Sequence, residues 1–290
     1  MARTMNPAEV KAPTGYETIS LRTLTPHMGA EVGGVDLSRP PEPGQLAEIR
    51  RAWAEWQVLV FRDQQLTREQ HKAFGRHFGT LHVHPMNHSR EGDPEILVVK
   101  TTGDSPYTAG DAWHADVTCD PIPPRASLLY VTETPEVGGG DTLFADMYLA
   151  HELLSDPMKE FLRGKVAVHD GGLPYVGNYG STPPEGGYPR SEHPVVTRHP
   201  DTGRAVLNVN SGFTTRIRGL KPAESRAILK MLFDHVATTP RLWCRVGWEP
   251  GTLTLWDNYC TQHHAVWDYW PHSRYGERVS TLGEAPPQPY

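Results

Sequence analysis

Trp113-His114-Ala115-Asp116-Val117-Thr118 is the stretch from which the rest of the chain is read. An imidazole and a carboxylate two residues apart point to the same side of an extended strand, because strand side chains alternate with a period of two. Together they hold a metal by half. Further along, Trp256-Asp257-Asn258-Tyr259-Cys260-Thr261-Gln262-His263-His264-Ala265 offers another imidazole. His263 and His264 remain alternatives at this point, since neighbours in a strand face opposite ways.

Two His and one carboxylate on one face of a metal, with other positions open, form the ligand set of non-haem Fe(II) oxygenases. A structural zinc instead wants four closed ligands. The spacing alone is weak evidence. With 15 His and about as many Asp in 290 residues, chance gives about one His-x-Asp, and the chain has two. The second, His199-Pro200-Asp201-Thr202-Gly203-Arg204, reads as a Pro/Gly turn between short apolar runs, and no chemistry is assigned to it.

Length bounds the answer to one large domain or two small ones, with enough chain to bury a substantial core. A formal charge of −6 and a pI near 6.2, with no basic run, argue against nucleic-acid or anionic-membrane partners. Cys119, Cys244 and Cys260 are too few and scattered for a disulfide framework or a Cys-x-x-Cys zinc site. Met1 to Ser20 contain no apolar h-region and no run of about 18 apolar residues occurs, so a cytoplasmic protein is expected.

Residues 1–15 read as a poorly ordered arm and 16–290 as a single domain. Gln45 to Trp56 is an amphipathic helix, with Leu46, Ile49, Trp53 and Trp56 stepping by three and four. Val58-Leu59-Val60-Phe61 is a buried strand, and Thr67-x-x-Gln70 opens a helix with a capping box. Leu81-His82-Val83-His84 reads as an edge strand, and strands are also expected over Glu95–Lys100, Trp113–Thr118 and Arg125–Thr132. Residues 170–192 are a lid loop in this reading, since ten of the 23 are Gly or Pro and long loops are usually functional. A hairpin around His199 to Gly203, a helix over Pro222–Val236 and strands over Leu242–Trp248, Thr252–Trp256 and Arg278–Leu282 complete the chain. The fold class is mainly β with peripheral helices, and many short strands suggest a jelly roll rather than βαβ units.

The ordered motifs, Trp113-His114-x-Asp116, Gly139-Gly140-Asp141-Thr142-Leu143, Gly212-Phe213-Thr214-Thr215-Arg216-Ile217, Trp256-Asp257-Asn258 to His263, then Arg274 and Arg278, resemble the Fe(II)/2-oxoglutarate-dependent taurine dioxygenase family (TauD/TfdA-like). The resemblance runs from about Tyr16 to about Pro286 and is nearest to taurine and alkylsulfonate-type members. It implies a double-stranded β-helix with His114, Asp116 and His263 as the Fe(II) ligands. It further implies that Thr142 and Arg274 hold the distal carboxylate of 2-oxoglutarate. His84 and Arg278 would meet the anionic end of the substrate, with Val117 and Phe213 beside it. Dimers or tetramers are common in that family.

The chemistry implied is hydroxylation of a C–H bond of an anionic small molecule by O2, with 2-oxoglutarate converted to succinate and CO2. A sulfonate such as taurine, or an alkyl sulfonate or sulfate, is the leading substrate class, and a carboxylate or phosphonate the alternative. Taurine enzymes carry a polar residue for the amine where this chain has Ala109-Gly110-Asp111-Ala112, which points away from taurine itself. A metal-assisted hydrolase or isomerase would use the same ligands but gives no reason for Thr142, Arg274 and Arg278 in that order. A non-catalytic anion-binding protein would have no use for an intact ligand set.

Overall fold

The computed structural model describes residues 12–84 and 93–290. The first half of the chain contributes strands β1 (Ser20–Thr23), β2 (Ala30–Gly33), β3 (Val58–Phe61), β4 (Leu97–Thr101), β5 (Ala126–Glu133) and β6 (Thr142–Asp146). The middle adds β7 (Val166–Asp170), β8 (Arg190–Pro194), β9 (Val196–Arg198), β10 (Ala205–Leu207) and β11 (Thr214–Ile217). The last part adds β12 (Trp243–Val246), β13 (Thr252–Asp257), β14 (Thr261–Ala265), β15 (Arg274–Ser280) and β16 (Gln288–Pro289). Helices α1 (Pro43–Trp56), α2 (Arg68–Arg76), α3 (Met147–Glu152), α4 (Asp156–Leu162) and α5 (Pro222–Ala237) lie around them.

A seven-stranded sheet in the order β1-β2-β3-β13-β5-β15-β4 is the spine, antiparallel except where β2 meets β3. Both of its faces are covered, which is why β3 reads as an unbroken apolar run rather than an alternating one. Ile49, Trp53 and Trp56 of α1 and Phe74 of α2 pack on Leu59, Phe61, Leu128, Tyr130, Leu253 and Leu255 on one side. On the other, Val58, Val60, Leu129, Val131 and Trp256 meet Phe144, Cys244 and Val246 of a three-stranded sheet ordered β12-β6-β14. This stacking of two antiparallel sheets is the jelly-roll sandwich. Each wholly buried Leu or Phe in these layers contributes about 1.5–3 kcal/mol, so Phe61→Ala would cost about 3–5 kcal/mol.

The α1 helix and the Thr67–Gln70 capping box form as expected, the latter with the Thr67 side chain on the Gln70 N–H and the Gln70 side chain on the Thr67 N–H. Ser155 stands at the cap of α4, with Asp156 in its first turn. The stretch expected as an edge strand forms a single bridge, Leu81 to Thr281. β15 begins four residues before the expected Arg278, and therefore carries Arg274 as well. The expected lid at 170–192 is partly built: β7 ends at Asp170, β8 begins at Arg190, and a wide helical turn spans Leu173–Asn178 between them. Of the arm expected at 1–15, only residues 12–15 are among those described, and they form no helix or strand.

Candidate active site

β14 pairs with β6 in regular register, so His263 points into the sandwich with Thr261 and Ala265 while His264, the one half-buried residue of the strand, points the other way. His264 lies against Asp111, 3.3 Å away, and the Trp113 ring, and leaves the interior to His263. His114 reaches β14 through one antiparallel bridge, with main-chain bonds of 3.1 and 2.7 Å to His263. The two imidazole centroids are consequently 4.1 Å apart. One ligand atom each from His114, Asp116 and His263 falls within 4.8 Å of the others. His114 Nδ1 donates to the Ala112 carbonyl at 2.7 Å, which turns its Nε2 lone pair inward. Burial holds both imidazoles below their ordinary pKa, and the neutral form is the one that ligates.

The strand expected over Trp113–Thr118 does not form beyond that bridge. Residues Asp116 to Cys119 make a turn, with the Asp120 N–H on the Val117 carbonyl and Val117 at a φ of 47°. A β-branched residue in the left-handed region is strained, and such strain clusters at functional sites. His114 and Asp116 converge because the chain turns, not because it is extended. The Asp116 side chain is held on both oxygens: Ser127 Oγ donates to Oδ2 at 2.9 Å and Arg278 Nη1 to Oδ1. Burial pushes its pKa up, but Arg278, His263 and His114 outweigh that and hold the carboxyl far below its usual range.

A cavity of about 190 Å³ opens in front of these groups. All nine residues expected from the sequence line it: His84, His114, Asp116, Val117, Thr142, Phe213, His263, Arg274 and Arg278. Arg274 and Arg278 stand four apart on β15, which pairs in regular register with β4, so both face the cavity. Arg274 is 3% exposed, and among the described residues it makes no ion pair. Its Nη1 donates to the Gly140 carbonyl, where a φ of 73° and a Tyr269 ring that would stand 3.1 Å from any β-carbon leave room for glycine alone. A buried cation without a carboxylate is costly until an anion meets it. Thr142 Oγ accepts from Trp248 Nε1 at 3.0 Å and keeps its own O–H to give.

Two residues that matter here, Ser127 and Asn258, lie outside the expected set, and Tyr179, from the stretch expected as a lid, joins them. Ser127 is the one small polar residue in the buried part of β5, Ala126 to Val131, which is the only sign of it in the sequence. Asn258 clamps the Asp116 main chain, and Tyr179 Oη accepts the Gly110 N–H at 3.0 Å, tying the 173–178 turn to the loop before His114. Asp257 and Gln262, near enough in sequence to orient His263, point elsewhere: Gln262 donates to the Val209 carbonyl, and Asp257 meets Arg125 and His199. The second His-x-Asp is a turn as expected, yet His199 is buried and Asp201 pairs with Arg125 at 2.6 Å.

Residues 20–280 match the family model described as "Taurine catabolism dioxygenase TauD, TfdA family". The chain is 36% identical over 280 residues to the alpha-ketoglutarate-dependent dioxygenase cnsM of Penicillium expansum, covering 91% of this chain and 77% of that one. It is 31% identical over 285 residues to an alpha-ketoglutarate-dependent sulfonate dioxygenase of Saccharomyces cerevisiae, covering 92% and 68%. A crystal structure of a taurine dioxygenase from Burkholderia xenovorans aligns with a TM-score of 0.81 at 37% identity, over 93% of this chain and 91% of that one. With the jelly roll, the converging ligand triad and these matches in agreement, the chain belongs to the TauD/TfdA family of 2-oxoglutarate-dependent dioxygenases.

Proposed function

We propose that the chain uses Fe(II) on His114, Asp116 and His263, with 2-oxoglutarate and O2, to hydroxylate a C–H bond of an anionic small molecule with an apolar body. The observation that carries this reading is the joint placement of an inward-facing His/Asp/His set and a buried, unpaired Arg274 on one cavity. Two imidazoles and one carboxylate suit Fe(II) and leave positions for co-substrate and oxygen. When bound, the metal supplies the centre at which 2-oxoglutarate is decarboxylated to succinate and the substrate is oxidised.

The rest is done by the chain's own groups. Arg274 offers a bidentate fork to the distal carboxylate of 2-oxoglutarate, and Thr142 an O–H beside it. Arg278 and His84 face the substrate's oxyanion. Burial and the nearby Arg278 hold His84 well below its ordinary pKa, so it meets that anion as a neutral N–H donor. Val98, Ala109, Tyr107, Tyr179 and Phe213 add an apolar lining to the cavity. Asp116, a metal ligand, is the one carboxylate lining the cavity among the described residues. A substrate ammonium such as taurine's would therefore lack a partner, and an alkyl or aryl-alkyl sulfonate or sulfate fits better.

Anaerobic titration of the Fe(II)-loaded protein with 2-oxoglutarate tests the reading through the weak visible charge-transfer band. Long-chain sulfonates, sulfates, carboxylates and phosphonates would then be screened for those that perturb the band and stimulate succinate release. No band with metal bound would sink the reading, and taurine outperforming the apolar anions would sink the substrate assignment.

A further inference from the structure

We infer that Asn258 is a positioning residue that fixes the Asp116 carboxylate relative to His263, an assignment that rests on the metal reading above. The need for such a residue arises from the local fold. Asp116 sits in a turn beside a strained Val117, and the single bridge at His114 ends two residues before it. No strand ladder reaches its peptide groups. Asn258 takes their place with one side chain: Oδ1 accepts the Asp116 N–H at 2.6 Å and Nδ2 donates to the Asp116 carbonyl at 2.9 Å. A carboxamide has one acceptor and two donors, and it thereby mimics the paired bonds of a neighbouring strand.

Asn258 is anchored in turn. Nδ2 also reaches the Pro124 carbonyl at 2.9 Å, and its main-chain N–H goes to the Arg125 carbonyl at 3.0 Å. It stands in the tight connection between β13 and β14, where the Asp257 side chain accepts the Tyr259 N–H and Thr261 Oγ bonds the Asp257 carbonyl. The same connection, which crosses from one sheet to the other, carries His263 two residues into β14. One connection therefore presents one ligand directly and holds the main chain of the other. Asn258 is 4% exposed and does not line the cavity, so it acts through Asp116 and touches neither metal nor substrate.

The test is Mn(II) affinity, followed by the electron paramagnetic resonance of the free ion, for wild type, His114→Ala, Asn258→Ala and the near-isosteric Asn258→Asp. Asn258→Asp keeps the acceptor for the Asp116 N–H and removes the donor to its carbonyl. Loss of a group that orients a ligand costs about 10- to 100-fold in metal affinity, and that fall is expected in both Asn258 variants. The metal-free variants also lose stability, since the Asp116 and Pro124 carbonyls are left without their donor. A folded Asn258 variant that binds Mn(II) within about twofold of wild type overturns the assignment, as does failure of both variants to fold, which makes Asn258 a residue of the fold. Failure of wild type to bind, or equal binding by His114→Ala, instead removes the metal reading itself.

Discussion

His114, Asp116 and His263 bring donor atoms within 4.8 Å of one another, and so do His199, Asp257 and Cys260. The second set is buried throughout and the first all but a half-buried His114, and both have an arginine on the carboxylate. They differ in where that arginine stands and in what lies in front. In the second set Arg125 Nη1 is 3.0 Å from His199 Nε2 as well as bonded to Asp257, so a guanidinium fills the position a cation would take. The other His199 nitrogen accepts the Thr202 N–H, and burial beside Asp257 drives the Cys260 thiol far from its thiolate. In the first set Arg278 contacts Asp116, both imidazoles face a cavity, and a second buried arginine waits without a carboxylate. Ligand residues at the right distance make a metal site only where their lone pairs point into shared space.

The strongest way to break this contrast is to remove a ligand from each set. Asp116→Ala should abolish 2-oxoglutarate-dependent succinate release and bound iron, whereas Cys260→Ser should keep both; the reverse outcome would exchange the roles of the two clusters. Next in size, Arg125→Leu strands the buried Asp257 carboxylate and should cost about 3–5 kcal/mol of stability in urea unfolding. The protein that remains folded should turn over normally. Arg274→Ala should do the opposite, leaving stability nearly unchanged while weakening 2-oxoglutarate by about 2–5 kcal/mol, or roughly 30- to several-thousand-fold by calorimetry. Arg274→Lys should not restore it, since an ammonium cannot form the fork.

The smallest effect concerns pH. Burial pushes Asp257 up, but Arg125 and His199 outweigh it and hold it at about 2, against 3.8 unfolded. Stability from a depressed carboxylate is present above the unfolded value and lost as pH falls through the folded one, so the Arg125 cluster contributes equally at pH 7 and 5.5. Burial lowers His71 to about 4 and His169 to about 3 from 6.5. Below pH 6.5 the unfolded chain takes up protons that these two refuse, so each should cost about 1 kcal/mol between pH 7 and 5.5. His71→Gln should show a shallower slope than wild type in that window.

The first cluster is legible in the sequence because a His-x-Asp that chance would also supply is followed, in order, by the Gly-Gly-Asp-Thr, Trp-Asp-Asn to His and paired-Arg motifs, and the resemblance they carry then chooses His263 over its neighbour. A strand through Trp113–Thr118 is the wrong expectation because nothing in the residue types announces a left-handed valine. β14 goes unmarked because Thr-Gln-His-His-Ala lacks the apolar alternation that identifies strands. Ser127 and Asn258 are opaque for a different reason: their partners are a carboxylate and a peptide group far away in the chain, and only the fold brings them together. His199-Pro200-Asp201 looks like a plain turn since a solvent-facing histidine and one buried in an ion network read alike.

β15 also acts as a ruler. Four residues of extended strand set the Cα atoms of Arg274 and Arg278 about 13 Å apart, and in the function proposed above one would meet the co-substrate's carboxylate and the other the substrate's oxyanion. The reachable carbon is then chosen by how far it lies from the head group. Lengthening the chain of a bound anion adds atoms toward the Tyr107 and Tyr179 wall and leaves the carbon near the metal the same. An enzyme built on that proposal would count bonds from the charged end and be indifferent to the length of the tail.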